Sequence, residues 1–383
     1  MSPKLLIFYD WFYPGYKAGG PIQSLANLVA AINSSFDIYI ITSAFDLNAG
    51  KAYEGIISNE WNVIDLPGTE KPINVYYSTT ENVSIPRLKK LISAVTPAAI
   101  YFNGLFSFRY FILPLIALKS LTQYYQIVVC PRGMLKTGAL AGKSFKKKIY
   151  LSLMRMSGVL KIVRWHATSD EEAKDISFHF PRNKGIVVAS NIPKTPVDNV
   201  NFITKEKGSL KFVSLSLINE HKNLLLLLQV IQSCPGDITL DIYGPVIDFN
   251  YWQQCLQLIE KMQGKVLYKG EIEPAKVQQM LSQYHALILL TKGENFGHSI
   301  YESLSVGRPV ITSYFTPWNN LQEKMAGVNV DIANRDDCTK KITDLINMDQ
   351  EDFNSYCAGS HNLSTDYYNN LDSTTGYVAL FSV

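Results

Sequence analysis

The sequence predicts an α/β protein built as two doubly wound domains, and three observations carry that prediction. Short runs rich in β-branched and aromatic residues alternate with longer stretches of helical spacing, which is the order of βαβ units around a parallel sheet. The series occurs twice, separated by a polar stretch at 191–209 that holds Pro193 and Pro196 and lacks a strong period. At 383 residues the chain is also longer than one core usually organises. The boundary therefore falls at 192, giving domains 1–192 and 193–383, with the last helix a candidate to cross back to the first. A cleft between the domains is the expected ligand site, because ligands sit at the carboxyl ends of parallel strands.

In the first series the strands are "KLLIFYD" from Lys4, "FDIYIIT" from Phe36, "AAIYFNG" from Ala98, "QIVVCPRG" from Gln126 and "GIVVAS" from Gly185. Ile22, Leu25, Leu28, Val29 and Ile32 fall at helical spacing between the first two. The loop before that helix, "DWFYPGYKAGGPIQS", brings Gly15, Gly19 and Gly20 up to Pro21, a favourable first helical residue. It is either a plain turn or a place where Gly19 and Gly20 let backbone N–H groups approach an anion. The second series runs "KFVSLSLI" from Lys211, "ITLDIYG" from Ile238, "KVLYKG" from Lys265, "HALILLT" from His285 and "RPVIT" from Arg308. Its helices are "NLLLLLQVIQ", "YWQQCLQLIEKM" and "AKVQQMLSQY".

Composition excludes several classes. With 47% hydrophobic and 18% charged residues the chain is ordinary for a globular protein rather than a disordered one. Its apolar run "YFILPLIAL" is far shorter than the ~20 residues of a spanning helix. "MSPKLLIFYD" reads as a buried strand, too short for a signal-peptide core. Five scattered cysteines without a Cys-x-x-Cys argue against a disulfide framework or zinc site and fit a reducing cytoplasm.

The net charge of +3 is unevenly spread. Residues 1–190 carry 21 Lys and Arg against 12 Asp and Glu, and between Asn82 and Ser169 there are fourteen basic residues and no acid. This is a solvated basic face or a surface for an anionic partner. The segment "GKSFKKKIYLSLMRMSGVLKIVRW" interleaves Lys146, Lys147, Lys148, Arg155, Lys161 and Arg164 with apolar residues, a mixture suited to a membrane interface. The basic residues follow no groove-reading motif, so a nucleic-acid role is disfavoured.

The stretch "GENFGHSIYESLSVGRPVI" from Gly293 follows the strand "HALILLT". "HSIYESLSV" reads as a helix ended by Gly307, which makes "KGENFGH" the loop at a strand's carboxyl end. Gly297 and the amides of His298 and Ser299 would present N–H groups to a phosphate. Glu294 in the loop and Glu302 one turn into the helix would flank it, each placed to accept from hydroxyls. Two carboxylates around an anion site suit a diphosphate with a sugar at each end, the shape of a nucleotide sugar.

With these residues in view the chain resembles, over nearly its whole length, the retaining family-4 glycosyltransferases of the GT-B fold. The signature above is similar to that family's pair of glutamates, and "TPWNNLQEKMAG", "YKAGGPIQS", "PRGMLKTGAL", "WHATSDEE" and "NEHKNL" extend the likeness. The last motifs look most like enzymes of bacterial surface polysaccharides. The resemblance implies a hexose transferred with retention from a nucleotide sugar, a UDP-sugar rather than a GDP-sugar, to a lipid-linked glycan at the cytoplasmic face of the cell membrane. Neither metal nor other cofactor is implied, and the absence of an Asp-x-Asp is consistent.

Residue by residue, the resemblance implies that Glu294 holds donor-sugar hydroxyls, with Asn295 beside it. Phe296, Gly297, His298 and Ser299 offer backbone to the diphosphate, Lys222 pairs with it, and Glu302 binds the ribose diol. Gly270 lies where the base is read, and Gly19 and Gly20 bring the first domain's backbone to the donor. Two departures stand out. Leu217 occupies the position of an Arg that many relatives pair with the Lys, leaving Arg132 or His221 as candidate replacements. Asn103 occupies the position of a His near the reacting sugar, so that group cannot titrate. His166 is read either as a base facing the acceptor or as a satisfied structural residue. Trp318 is read as packing beneath the signature helix, and Asp170, Glu171 and Glu172 as a helix-start cluster without chemistry. A sugar-nucleotide 2-epimerase of the same fold and a catalytically weak donor-binding scaffold are the alternatives.

Overall fold

The computed structural model describes residues 2–119, 121, 125–136, 144–371 and 375–382. They divide into two compact units, Met1–Ile192 with Leu371–Val383, and Pro193–Asn370. The end of the "PRGMLKTGAL" motif after Lys136, and Lys143 of the basic segment, lie outside the described residues.

The first unit is an eight-stranded sheet formed by β1 (Lys4–Phe8), β2 (Asp37–Ser43), β3 (Trp61–Ile64), β4 (Ile73–Ser78), β5 (Ala99–Asn103), β6 (Gln126–Cys130), β7 (Arg164–Ala167) and β8 (Ile186–Val188). Their order is β3-β4-β2-β1-β5-β6-β7-β8, and every neighbouring pair is parallel except β3 with β4. A parallel sheet covered on both faces needs strands apolar on both sides, and β1 supplies them. Leu5 and Ile7 enter one core with Leu25, Val29 and Ile32 of the helix Gly20–Ile32, while Leu6 and Phe8 enter the other with Leu88 and Ile92. The helix Thr375–Phe381 belongs to this unit: Tyr377, Leu380 and Phe381 are buried in the first of those cores.

The second unit is a six-stranded, wholly parallel sheet of β9 (Ser209–Leu215), β10 (Asp237–Tyr243), β11 (Val266–Gly270), β12 (Ala286–Leu289), β13 (Val310–Ser313) and β14 (Gly327–Val330). Their order is β11-β10-β9-β12-β13-β14. Strand alternation again divides the core, with Phe212 and Ile288 on one face and Val213 and Leu287 on the other. The order reverses at β9 and β12, so the loops after these two strands open a crevice at a topological switch point. One glycine there is required by space. A Cβ on Gly244, after β10, would stand 1.9 Å from the Ser216 carbonyl oxygen, and its φ is 137°.

The doubly wound α/β expectation thus holds for both sheets. The strands β3, β4, β7 and β14 were not marked by the sequence patterns. β7 is the short "RWHA", with Trp165 and His166 at its centre, too brief to show a period.

Candidate functional site

The loop after β12 is held from both sides before any functional group is considered. The His221 ring donates from Nε2 to the Gly293 carbonyl at 2.9 Å, and the Lys292 amide donates to the His221 carbonyl at 2.9 Å. On the other side the Glu294 amide donates to the Phe315 carbonyl at 3.0 Å, and Trp318 Nε1 to the Phe296 carbonyl at 2.6 Å. Trp318 is buried against Phe296, Tyr301 and Tyr367, the packing role expected for it. Gly297 then turns the chain with φ 82° and ψ 64° into the helix His298–Ser305. That left-handed conformation is nearly free for glycine and costs other residues about 1–2 kcal/mol. The amides of His298 and Ser299 open this helix at its positive end.

Glu294 reaches Lys222 from this loop. Lys222 closes the short 3-10 turn Glu220–Lys222, capped by Asn219, in the loop after β9. Its Nζ lies 2.5 Å from Glu294 Oε1, with the two side chains only 17% and 13% exposed. An ammonium and a carboxylate are thereby fixed together beside the helix start, at the carboxyl ends of β9 and β12. His221 stands next to Lys222 in the same turn. Burial and the neighbouring Lys222 charge both lower its pKa, and its Nε2 is committed to Gly293.

Glu302 sits on the same helix, buried among Ile300, Tyr301 and Leu304. Burial pushes its carboxyl pKa up, and Lys194 pulls it back: Lys194 Nζ is 3.1 Å from Glu302 Oε1. Lys194 was not recognised in the sequence, where it stood in the polar stretch between the two series. Gly270 ends β11 with φ 83°, and its carbonyl accepts from the Gly244 amide at 2.9 Å. Arg308 of the Gly-Arg-Pro that closes the signature is structural. It is buried and donates to the carbonyls of Asn201 at 2.6 Å and Ser282 at 2.7 Å.

The remaining expected residues belong to the first unit. Gly19 has φ 77° and precedes Gly20 and Pro21 at the helix start, and Asp46 pins the loop by accepting from the Tyr16 amide at 3.0 Å. Asn103 ends β5 and is 1% exposed. Its Oδ1 accepts from Arg132 Nε at 2.6 Å, while its Nδ2 has no hydrogen-bond partner among the described residues. Arg132, at φ 53°, also donates to Asn191 and to the Tyr101 hydroxyl at 3.1 Å. Its guanidinium is buried among these first-unit partners.

His166 is fully buried. One ring nitrogen meets the Tyr101 hydroxyl at 2.9 Å and the other the Ala189 carbonyl at 2.8 Å. Burial and then the Arg132 charge lower its pKa to about 3. As placed it has no nitrogen to offer an acceptor, and the structural of its two readings fits. Glu172 lies in the first turn of its helix behind the Ser169 cap, as expected of the helix-start cluster. It is buried inside the helix-start cluster and accepts from the Gly133 amide at 2.5 Å and from the Thr168 amide at 2.7 Å. It therefore ties the loop after β6 to the end of β7, a structural task.

Among the described residues no cluster of His, Cys, Asp and Glu could hold a metal ion, and no helix is long and apolar enough to cross a membrane. The five cysteines are free and buried.

Residues 198–357 match the family described as glycosyl transferases group 1. No curated protein sequence matches the chain. Among solved structures it is similar to Anabaena HepE in complex with UDP-glucose, at 14% identity and a TM-score of 0.70, covering 99% of this chain and 98% of that one. It is similar to a mutant of S. aureus TarM in complex with fondaparinux, alpha-GlcNAc-glycerol and UDP, at 12% identity and a TM-score of 0.70 over 100% of both chains. It is also similar to WaaG, a glycosyltransferase involved in lipopolysaccharide biosynthesis, at 10% identity and a TM-score of 0.65 over 98% of both. The matched segment is the one that holds Lys222, Glu294 and Glu302, and with these neighbours it supports a glycosyltransferase of the GT-B fold.

Proposed function

We propose that this protein transfers a hexose, with retention, from a nucleoside diphosphate sugar to a lipid-linked or polysaccharide acceptor in bacterial surface-glycan synthesis. The observation that carries the reading is the Lys222–Glu294 pair beside a helix start, with Glu302 one turn along the same helix. Lys222 and the first helical amides, at Gly297, His298 and Ser299, neutralise charge on the departing diphosphate, where preorganised donors act most strongly. Glu294, with Asn295 and Phe296 in the same loop, orients the transferred sugar. Glu302 takes the ribose diol, and the base lies toward Gly270. In the retaining step the acceptor oxygen forms the new bond on the face the diphosphate leaves. The diphosphate departs with the bonding pair, and its phosphate oxygen takes the acceptor's proton. No protein base is needed, in keeping with Asn103 and a neutral, enclosed His166. Neighbours solved with UDP and with UDP-glucose favour a UDP-sugar donor.

The acceptor is assigned to the first unit, working against the inner face of the cell membrane. Its helix Ser144–Ser157 exposes Ile149, Leu153 and Met156 in one stripe at helical spacing. Lys146, Lys148 and Arg155 are exposed along it, and Lys161 and Ile162 follow. Cations beside exposed apolar side chains suit anionic headgroups over an acyl boundary.

The test is product analysis with UDP-glucose and other nucleotide sugars, with and without glycan acceptors, reading anomeric configuration by NMR. Transfer with a retained α-linkage supports the proposal. Conversion of the donor sugar without acceptor makes the protein a 2-epimerase, and tight donor binding without turnover on any acceptor makes it a scaffold.

A further inference from the structure

The stretch that leads into the second unit is bound to that unit at several points. The Val197 amide donates to the Ser305 carbonyl at 3.2 Å, at the end of the signature helix. Gln278 Nε2 donates both to the Thr195 carbonyl and to Ser305 Oγ, each at 3.2 Å. His361 donates to the Val197 carbonyl at 2.7 Å, and the Thr195 hydroxyl meets that of Tyr368 at 3.1 Å. Residues 194–197 thus form a strap laid across three helices, and Lys194 projects from its beginning.

Lys194 Nζ makes two contacts that join separate parts of the crevice. It is 3.1 Å from Glu302 Oε1, on the signature helix. It also donates to the Pro274 carbonyl at 2.6 Å, at the start of the turn Pro274–Lys276 that follows β11 and Gly270. The two ionised side chains are 24% and 9% exposed. A carboxylate in so apolar a setting is costly unless it is paired. Lys194 supplies the pair through Oε1 and leaves the second carboxylate oxygen uncommitted to it. The same ammonium fixes how far that carboxylate stands from the segment after β11.

We propose that Lys194 is a positioning residue of the donor site, holding Glu302 as a carboxylate and setting its distance from the base-reading segment after β11. This rests on the reading of Glu302 as the group that accepts from the ribose diol. Lys194 lies four residues before the segment that matches the family, and it acts on the ligand only through Glu302 and the Pro274 backbone.

The experiment is calorimetric titration with UDP and 2′-deoxy-UDP, and with GDP and 2′-deoxy-GDP, on wild type, Glu302→Gln, Lys194→Met and Lys194→Arg. The readout is the ribo-to-deoxy ratio of Kd within each sample, which does not depend on the fraction of protein that is folded. Wild type is expected to prefer the ribonucleotide by about tenfold or more, the size of a hydrogen bond to a charged group. Lys194→Met is expected to collapse that ratio to about twofold while phosphate-driven affinity persists, and Lys194→Arg to restore most of it. A full ratio in Lys194→Met, with the ratio lost in Glu302→Gln, overturns the role of Lys194 alone. A ratio retained in Glu302→Gln, or absent from wild type, overturns the ribose reading itself and this inference with it. If Lys194→Met does not fold, Lys194→Gln carries the same comparison, because it keeps a donor for Pro274 but no charge.

Discussion

Removing the charge of Lys222 tests the fold and the function of the crevice together. In the free protein its ammonium is 2.5 Å from Glu294, and both side chains are less than one fifth exposed. Fully exposed pairs are worth about 0–1 kcal/mol, and breaking a fully buried pair costs about 3–5 kcal/mol because one ion is stranded. This pair lies between those limits, so Lys222→Met should destabilise the second unit by about 2 kcal/mol. For a unit of this size that is a fall in Tm of roughly 4–8 °C. Glu294→Leu alone should cost a similar amount. The double variant Lys222→Met/Glu294→Leu leaves no stranded charge and should recover most of the loss. Turnover should behave differently. Both side chains touch the donor in the proposed function, so all three variants should lose about a hundredfold or more in kcat/KM. Differential scanning calorimetry and a product assay on the four proteins read both quantities. Additive changes in Tm would refute the pair. Recovery of turnover alongside Tm in the double variant would refute its role in the donor site.

Other predictions follow from single features. Gly297 has φ 82°, so Gly297→Val should lower stability by about 1–2 kcal/mol and weaken nucleotide binding, whereas Gly297→Asn, which tolerates that conformation, should be milder in both. His166 is held neutral with its pKa lowered to about 3. Between that value and the unfolded value near 6.5 the unfolded chain binds the extra proton, so His166 costs stability as pH falls through this window. Its replacement by Gln should flatten the acid side of a Tm-against-pH curve without moving the pH profile of turnover between pH 6 and 8. Leu153→Asp with Met156→Asp should abolish co-sedimentation with phosphatidylglycerol vesicles, and 0.5 M salt should weaken the wild-type binding. Equal wild-type binding to neutral vesicles would count against the membrane reading.

Much of the fold was legible because parallel strands buried on both faces leave dense β-branched runs, as in "KLLIF" and "ALIL". β3 and β4 were missed because they lie at one edge of the first sheet and have mixed exposure or polar interruptions. In the site, Glu294 and Glu302 could be named because they belong to a strand-loop-helix unit whose order is written in the chain, and Lys222 because "NEHKNL" resembles a family motif. Lys194 could not, since its partners Pro274 and Glu302 are 80 and 108 residues away and no local pattern joins them. Arg132 and His166 were ambiguous for a related reason. A buried, satisfied side chain and a reactive one have the same letter, and only the contacts with Asn103, Asn191, Tyr101 and Ala189 distinguish them.

The central claim is that the second unit binds a nucleoside diphosphate through Lys222, the helix start and Glu302. A thermal-shift screen of UDP, GDP, ADP and their common sugars, run beside Glu302→Gln, tests it most directly. The account predicts that one nucleotide and its sugars raise Tm selectively and that the rise shrinks in Glu302→Gln. No shift with any nucleotide, or an equal shift in wild type and variant, would contradict it.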